Sequence, residues 1–257
     1  MALLNIPFID WNLSLISLCL IAWILFCVAF VLFTTLGKKF GWSRSLIGCL
    51  ILTAGFSNTS FVGFPIIEAI YGTDGLPYAI LIDQPGTFLL CSTLGVYLAS
   101  HFSSGRMPMS VLIKKVVTFP FFIAFFLALI LSSFGWRPEG HLKELLERLS
   151  SLLTPLALIS VGLQLSWSDV WIERKNLLLG LSFKLIASPL IIFLLYRMIP
   201  LPPRVFDIAV MESAMAPMIT SSILAATHGL EPRLASMMVG VGIPLSFITL
   251  GIWYFVL

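Results

Sequence analysis

Several residues in this chain could do chemistry in places where an apolar setting makes chemistry costly. Ser57-Asn58-Thr59 interrupts a stretch, Arg44 to Tyr71, that otherwise has the composition of one membrane-spanning helix. Gly55, Gly63 and Pro65 weaken the helix around it, glycine through backbone entropy and proline by its missing N–H. Glu212-Ser213, Ala216-Pro217 and Thr220-Ser221-Ser222 mark a later apolar stretch in the same way. Freed backbone at membrane depth is tolerated only inside protein or beside a water-filled cavity, so both stretches are candidate solute sites. The bland reading is a kinked but inert span, since glycine and proline are common in membrane helices. A half-helix N-terminus offers free N–H groups and positive dipole character, and Asn58 adds an amide that can donate to a carboxylate. Together these suit a small organic anion, with Ser57, Asn58, Thr59, Pro65, Ser213 and Pro217 as its candidate contacts. Asn58 bonding a neighbouring helix as structural glue remains the alternative.

Three ionisable residues, Asp83, Lys184 and Glu212, also lie within apolar runs, where each needs a partner or a wet cavity. Asp83 and Lys184 are expected to pair, either as a coupling element or as a static structural bridge. Lys184 reaching the interface along its stem is a further reading. Glu212, one turn before Pro217, is read as a proton-coupling carboxylate, a cation ligand or an outer-vestibule residue.

The elements that must hold these residues follow from composition. An apolar fraction of 59%, a charged fraction of 11% and a mean hydropathy of +1.04 exclude an ordinary soluble domain. The apolar residues come in blocks of roughly 20, the length that crosses ~30 Å of hydrocarbon. Eight spans result: Asn12–Leu36, Arg44–Tyr71, Leu76–Ser100, Val116–Phe134, Leu149–Trp167, Asn176–Met198, Phe206–Thr227 and Arg233–Val256. The fold class is an all-α polytopic membrane protein. Gly135–Arg148 is expected to carry a short surface helix. Cys19, Cys27, Cys49 and Cys91 have no metal-ligand spacing, and His101, His141 and His228 stand alone, so no metal or other cofactor is expected. No basic run interleaved with aromatics suggests nucleic acid, and no nucleophile or metalloprotease motif suggests an enzyme.

Alternate loops differ in charge: nine Lys and Arg fall on one side and five on the other. The positive-inside rule then puts the first side in the cytoplasm and both termini outside a plasma or inner membrane. The span order is also symmetric. Residues 12–100 and 176–256 form trios of opposite orientation, each with a broken middle member, and 116–167 is a helix pair between them. That is the pattern of inverted-repeat secondary transporters. Asn58 lies ~21 Å from the cytoplasmic start of its span and Pro217 a similar distance from the outer start of its own, so the breaks can meet near the midplane.

The residues Asn58-Thr59-Ser60-Phe61-Val62-Gly63-Phe64-Pro65, Tyr71-Gly72, Tyr78-Ala79, Asp83-Gln84, Lys184-Leu185 with Pro189, Ala216-Pro217 and Leu245-Ser246 with Trp253 resemble the auxin efflux carrier family. The resemblance implies a ten-helix fold, shared in outline with bile acid sodium symporters, with two crossing broken helices in a core beside a panel. It implies export of an auxin-like carboxylate, or permease activity toward malate or malonate, and a homodimer formed through the panel; proton or sodium coupling is expected from Asp83, Lys184 and Glu212. Asn58, Pro65 and Pro217 match the crossover motif, whereas Ser213–Ala216 lacks the second asparagine of plant members. Against the ten-helix pattern, the chain is expected to lack the first two helices, which belong to the panel. A non-transporting sensor or partner subunit, or a shortened inactive copy, is the alternative reading.

Overall fold

Residues 13–103 and 173–257 are described by the computed structural model, together with isolated positions and one short helical run, 140–146, between them. Helix α1 (Leu13–Phe40) is largely apolar until Lys38 and Lys39 in its last turn, and it stops at Gly41, whose φ of 66° ends the helix at no steric cost. Ser43 then caps α2 (Arg44–Gly55), accepting from the Leu46 N–H at 3.1 Å. After the break comes α3 (Thr59–Tyr71), closed by Gly72 at φ 73°, and then α4 (Thr73–Phe102). The second half runs α5 (Arg174–Tyr196), α6 (Pro203–Ser213), a second break, α7 (Ile219–Thr227) and α8 (Pro232–Val256). These bounds match the expected spans to within one helical turn, and both broken spans are broken where the sequence placed the interruption. The expected spans Val116–Phe134 and Leu149–Trp167 lie largely outside the described residues. The surface helix expected over Gly135–Arg148 is present at 140–146.

Two prolines accompany changes of helix winding. Pro85 lies in a turn of wider i→i+5 winding, Asp83–Phe88, and a second wide turn follows at Cys91–Gly95. Helix α5 has a similar turn at Phe183–Ala187, just ahead of Pro189. Pro189 has no N–H for the Leu185 carbonyl four residues back, and the Trp253 indole donates to that carbonyl at 3.3 Å. Such π-type turns rotate the side chains that follow them.

Among the described residues four helices, α1, α4, α5 and α8, are long and apolar enough to cross a membrane. Between them α2 packs beside α7 and α8, while α6 packs beside α3 and α4. Two apolar clusters form, one around Phe33, Leu50, Leu181 and Met238, the other around Leu18, Ile82, Tyr196 and Met211. Ser57, Asn58, Thr59, Asp83, Lys184, Glu212 and Ser213 belong to neither cluster, yet all are buried.

Ties at both ends join the trios. At one end Ser45 donates to the Gly229 carbonyl and accepts from the Glu231 N–H, and Ser103 donates to the His228 carbonyl. At the other end Arg204 donates to the Tyr71 carbonyl and lies 3.9 Å from the Asp74 carboxylate.

Candidate functional site

Backbone makes the junction between the two breaks. Phe56 leaves α2 extended (φ −111°, ψ 135°), and Met218 enters α7 extended (φ −69°, ψ 130°). They run antiparallel, with Ser57 opposite Pro217. The Asn58 N–H donates to the Ala216 carbonyl at 2.8 Å, and the Met218 N–H donates to the Phe56 carbonyl at 3.2 Å. Ser57 and Pro217 are thus the non-hydrogen-bonded pair of this one-rung ladder, so the N–H that proline lacks is not needed there. Both α3 and α7 begin at this junction, and their N-terminal dipole ends converge on it.

Side chains complete the site from four helices. The Asn58 carboxamide oxygen accepts from the Phe61 N–H at 3.2 Å and so caps α3, while its Nδ2 is buried with no hydrogen-bond partner among the described residues. Thr59 donates to the Asp83 carboxylate at 2.5 Å, and Gln84 donates to its other oxygen at 2.7 Å. Lys184 donates to the Ser57 hydroxyl at 2.5 Å and to the Ser213 carbonyl at 3.2 Å. Glu212 is 0% exposed, and neither of its oxygens has a hydrogen-bond partner among the described residues. It lies within electrostatic reach of both Asp83 and Lys184. An ideal Cβ on Gly63 would stand 2.6 Å from one Glu212 oxygen, which shows how closely the α3 backbone approaches this carboxylate. On the other flank, an ideal Cβ on Gly242 of α8 would stand 2.7 Å from the Pro217 ring.

The structure therefore gathers Ser57, Asn58, Thr59, Asp83, Lys184, Glu212, Ser213 and Pro217 around one junction. Pro65 is not among them. It sits in the first turn of the α-helical part of α3 and is exposed. The expected Asp83–Lys184 ion pair is corrected: no such pair occurs among the described residues. The reason is local, since Thr59 and Gln84 already satisfy Asp83, and Lys184 reaches across to the two breaks. The burial of Glu212 likewise rules out the outer-vestibule reading, and that of Lys184 rules out a stem reaching the interface. Sequence reasoning missed Gly242 and Ser188, and it read Gly63 only as weakening its helix; the hydroxyls of Ser188 and Ser222 are buried with no hydrogen-bond partner among the described residues. Only the glycines left a trace, as small residues in helices that must pack closely.

These contacts set an expectation for double-mutant cycles on unfolding. Thr59→Val with Asp83→Asn is expected to show a coupling of about 1 kcal/mol or more, the range for residues sharing a buried hydrogen bond. Lys184→Met with Asp83→Asn is expected to be the more nearly additive pair. A larger coupling in the second pair would restore the ion pair that the geometry denies.

Comparison with known proteins agrees with this architecture. A family model described as "Membrane transport protein" matches residues 3–107 and 103–254. An "uncharacterized transporter" of Methanothermobacter thermautotrophicus is 31% identical over 208 residues, covering 81% of this chain and 67% of the relative. Another, of Methanocaldococcus jannaschii, is 30% identical over 241 residues, covering 91% of this chain and 77% of the relative. A polytopic all-α chain with two broken helices meeting at a buried polar junction, and with these relatives, is a membrane transporter: it belongs to the membrane transport protein family, that of the auxin efflux carriers.

Proposed function

We propose that the chain is a secondary transporter that exports a small organic anion, an auxin-like carboxylate, malate or malonate, by alternating access at the junction of the two breaks. The observation that carries this reading is the junction itself. Two helix N-termini converge on it, and a buried Asn58 amide presents N–H donors that nothing in the described residues uses. A carboxylate would satisfy those donors and sit against both dipole ends. The trios, of opposite orientation, act as an inverted repeat. Because they are tied at the junction and at both ends, they are suited to move as one body against the helix pair 116–167. Glu212, within electrostatic reach of Asp83 of α4 and Lys184 of α5, is the candidate seat for the coupling proton. The positively charged loops face the cytoplasm, which places both termini outside.

Asn58→Ala tests this directly. The variant is expected to fold and insert normally, while uptake of labelled mono- and dicarboxylates into proteoliposomes falls by about 100-fold. That loss corresponds to roughly 3 kcal/mol, the cost of leaving a charged group without its donor. Uptake at the wild-type rate would remove the junction as the solute site.

A further inference from the structure

The junction already contains one cation, and it belongs to the chain. The Ser213 carbonyl ends α6, and the residue that would donate to it four positions on is Pro217, which has no N–H. Freed carbonyls at the C-terminal ends of half-helices are where broken-helix transporters bind coupling cations. Here the ammonium of Lys184 takes that oxygen at 3.2 Å and, from the other break, the Ser57 hydroxyl at 2.5 Å. Lys184 is 0% exposed, and it lies within electrostatic reach of Glu212 in the last turn of the same half-helix. Its position follows from the wide turn Phe183–Ala187, which turns this residue of α5 toward the junction.

We propose that the Lys184 ammonium is the resident monovalent cation of the junction, a tethered ion that pins the two breaks together and fills the seat a metal co-ion would otherwise take. One ion on a four-carbon stem then does what a bound sodium would do, without concentration dependence. The junction assembles without sodium, and a charge-sized vacancy appears when the lysine is shortened. This inference rests on the reading of the junction as the solute site, but its test follows assembly of the junction rather than flux. Failure of one therefore leaves the other standing.

The test uses the purified full chain in lipid nanodiscs, with the apparent unfolding temperature as readout. The wild type is expected to unfold at the same temperature in sodium chloride and in choline chloride. Lys184→Ala is expected to lower that temperature by roughly 10 °C, the range for removing one partner of a buried charge pair from a chain of this size. Added n-propylammonium, which reproduces the atoms from Cγ to Nζ, is expected to restore at least half of the loss; n-propanol and choline are not. Lys184→Met keeps the packing volume without the charge, so it is expected to be lowered nearly as far and not to be rescued. Ser57→Ala removes only the hydroxyl partner and is expected to cost roughly 5 °C. The proposal is overturned if Lys184→Met and Ser57→Ala unfold with the wild type, if n-propanol restores Lys184→Ala as well as n-propylammonium does, or if sodium raises the wild-type unfolding temperature.

Discussion

Gly63→Ala is expected to lower transport by about tenfold or more and to destabilise the protein by about 1–3 kcal/mol, the usual cost of overpacking a filled site. The added methyl would stand 2.6 Å and 2.8 Å from the two Glu212 oxygens and 3.1 Å from its carboxyl carbon. Contacts that short require something to move. The carboxylate is the flexible partner, but it is fully buried against α3 and can leave only by displacing its neighbours. Either α3 shifts away from α6 and opens the junction, or Glu212 turns away from Lys184 and Asp83. Both outcomes alter the site without touching Asn58. Glu212→Asp pulls the carboxylate back by one methylene, so the double variant Gly63→Ala with Glu212→Asp is expected to recover much of the stability, with a coupling of about 1 kcal/mol or more. Gly251→Ala is the control. A Cβ there meets open space, and stability should stay within about 0.5 kcal/mol of wild type. If Gly63→Ala behaved like Gly251→Ala, the close approach of α3 to Glu212 would not exist in the protein.

The breaks were legible in the sequence because both rest on local chemistry. Gly55 ahead of Ser57-Asn58, and Ala216-Pro217, are places where the helical ladder fails whatever lies around them. Counting residues then gave depth, and depth was enough to expect that Asn58 and Pro217 meet; their backbones do. Counting gives no azimuth, and there the reading of Lys184 failed. The wide turn at Phe183–Ala187 changes which way Lys184 points, and its partners are a serine hydroxyl and a backbone carbonyl. Neither carries a charge that would single it out in the sequence. Asp83 was misassigned for the complementary reason: its donors, Thr59, Ser60 and Gln84, are neutral and common, so an opposite charge looked the more natural partner. Glu212 was legible as a candidate but not as a buried one. Its burial depends on Gly63 of another helix letting the backbone come close, a pairing with no signature in either segment alone.

Glu212→Gln is expected to abolish accumulation driven by a pH gradient while leaving exchange of solute across the membrane within about threefold of wild type. The reasoning begins from charge. Asp83 and Glu212 bring two negative charges to the buried layer and Lys184 brings one positive charge, so one negative charge has no counterpart among these three. An uncompensated charge at membrane depth is costly and draws a proton or cation to itself. Hydrogen bonds decide which carboxylate bears it, since Asp83 has side-chain donors in Thr59, Ser60 and Gln84, and Glu212 has none among the described residues. Glutamine keeps the size of the side chain and leaves Asp83 and Lys184 as one charge of each sign, so the neutral variant is expected to fold and insert. Without the charge, solute movement is no longer tied to a proton. If one proton accompanies each solute, the wild type is expected to hold a gradient of about tenfold per pH unit, the ratio set by one proton's free energy. The variant should let solute run down to its own equilibrium. Counterflow and pH-driven uptake measured on the same proteoliposomes separate the two activities. Retention of pH-driven accumulation by Glu212→Gln, with its loss in Asp83→Asn, would transfer the coupling role to Asp83.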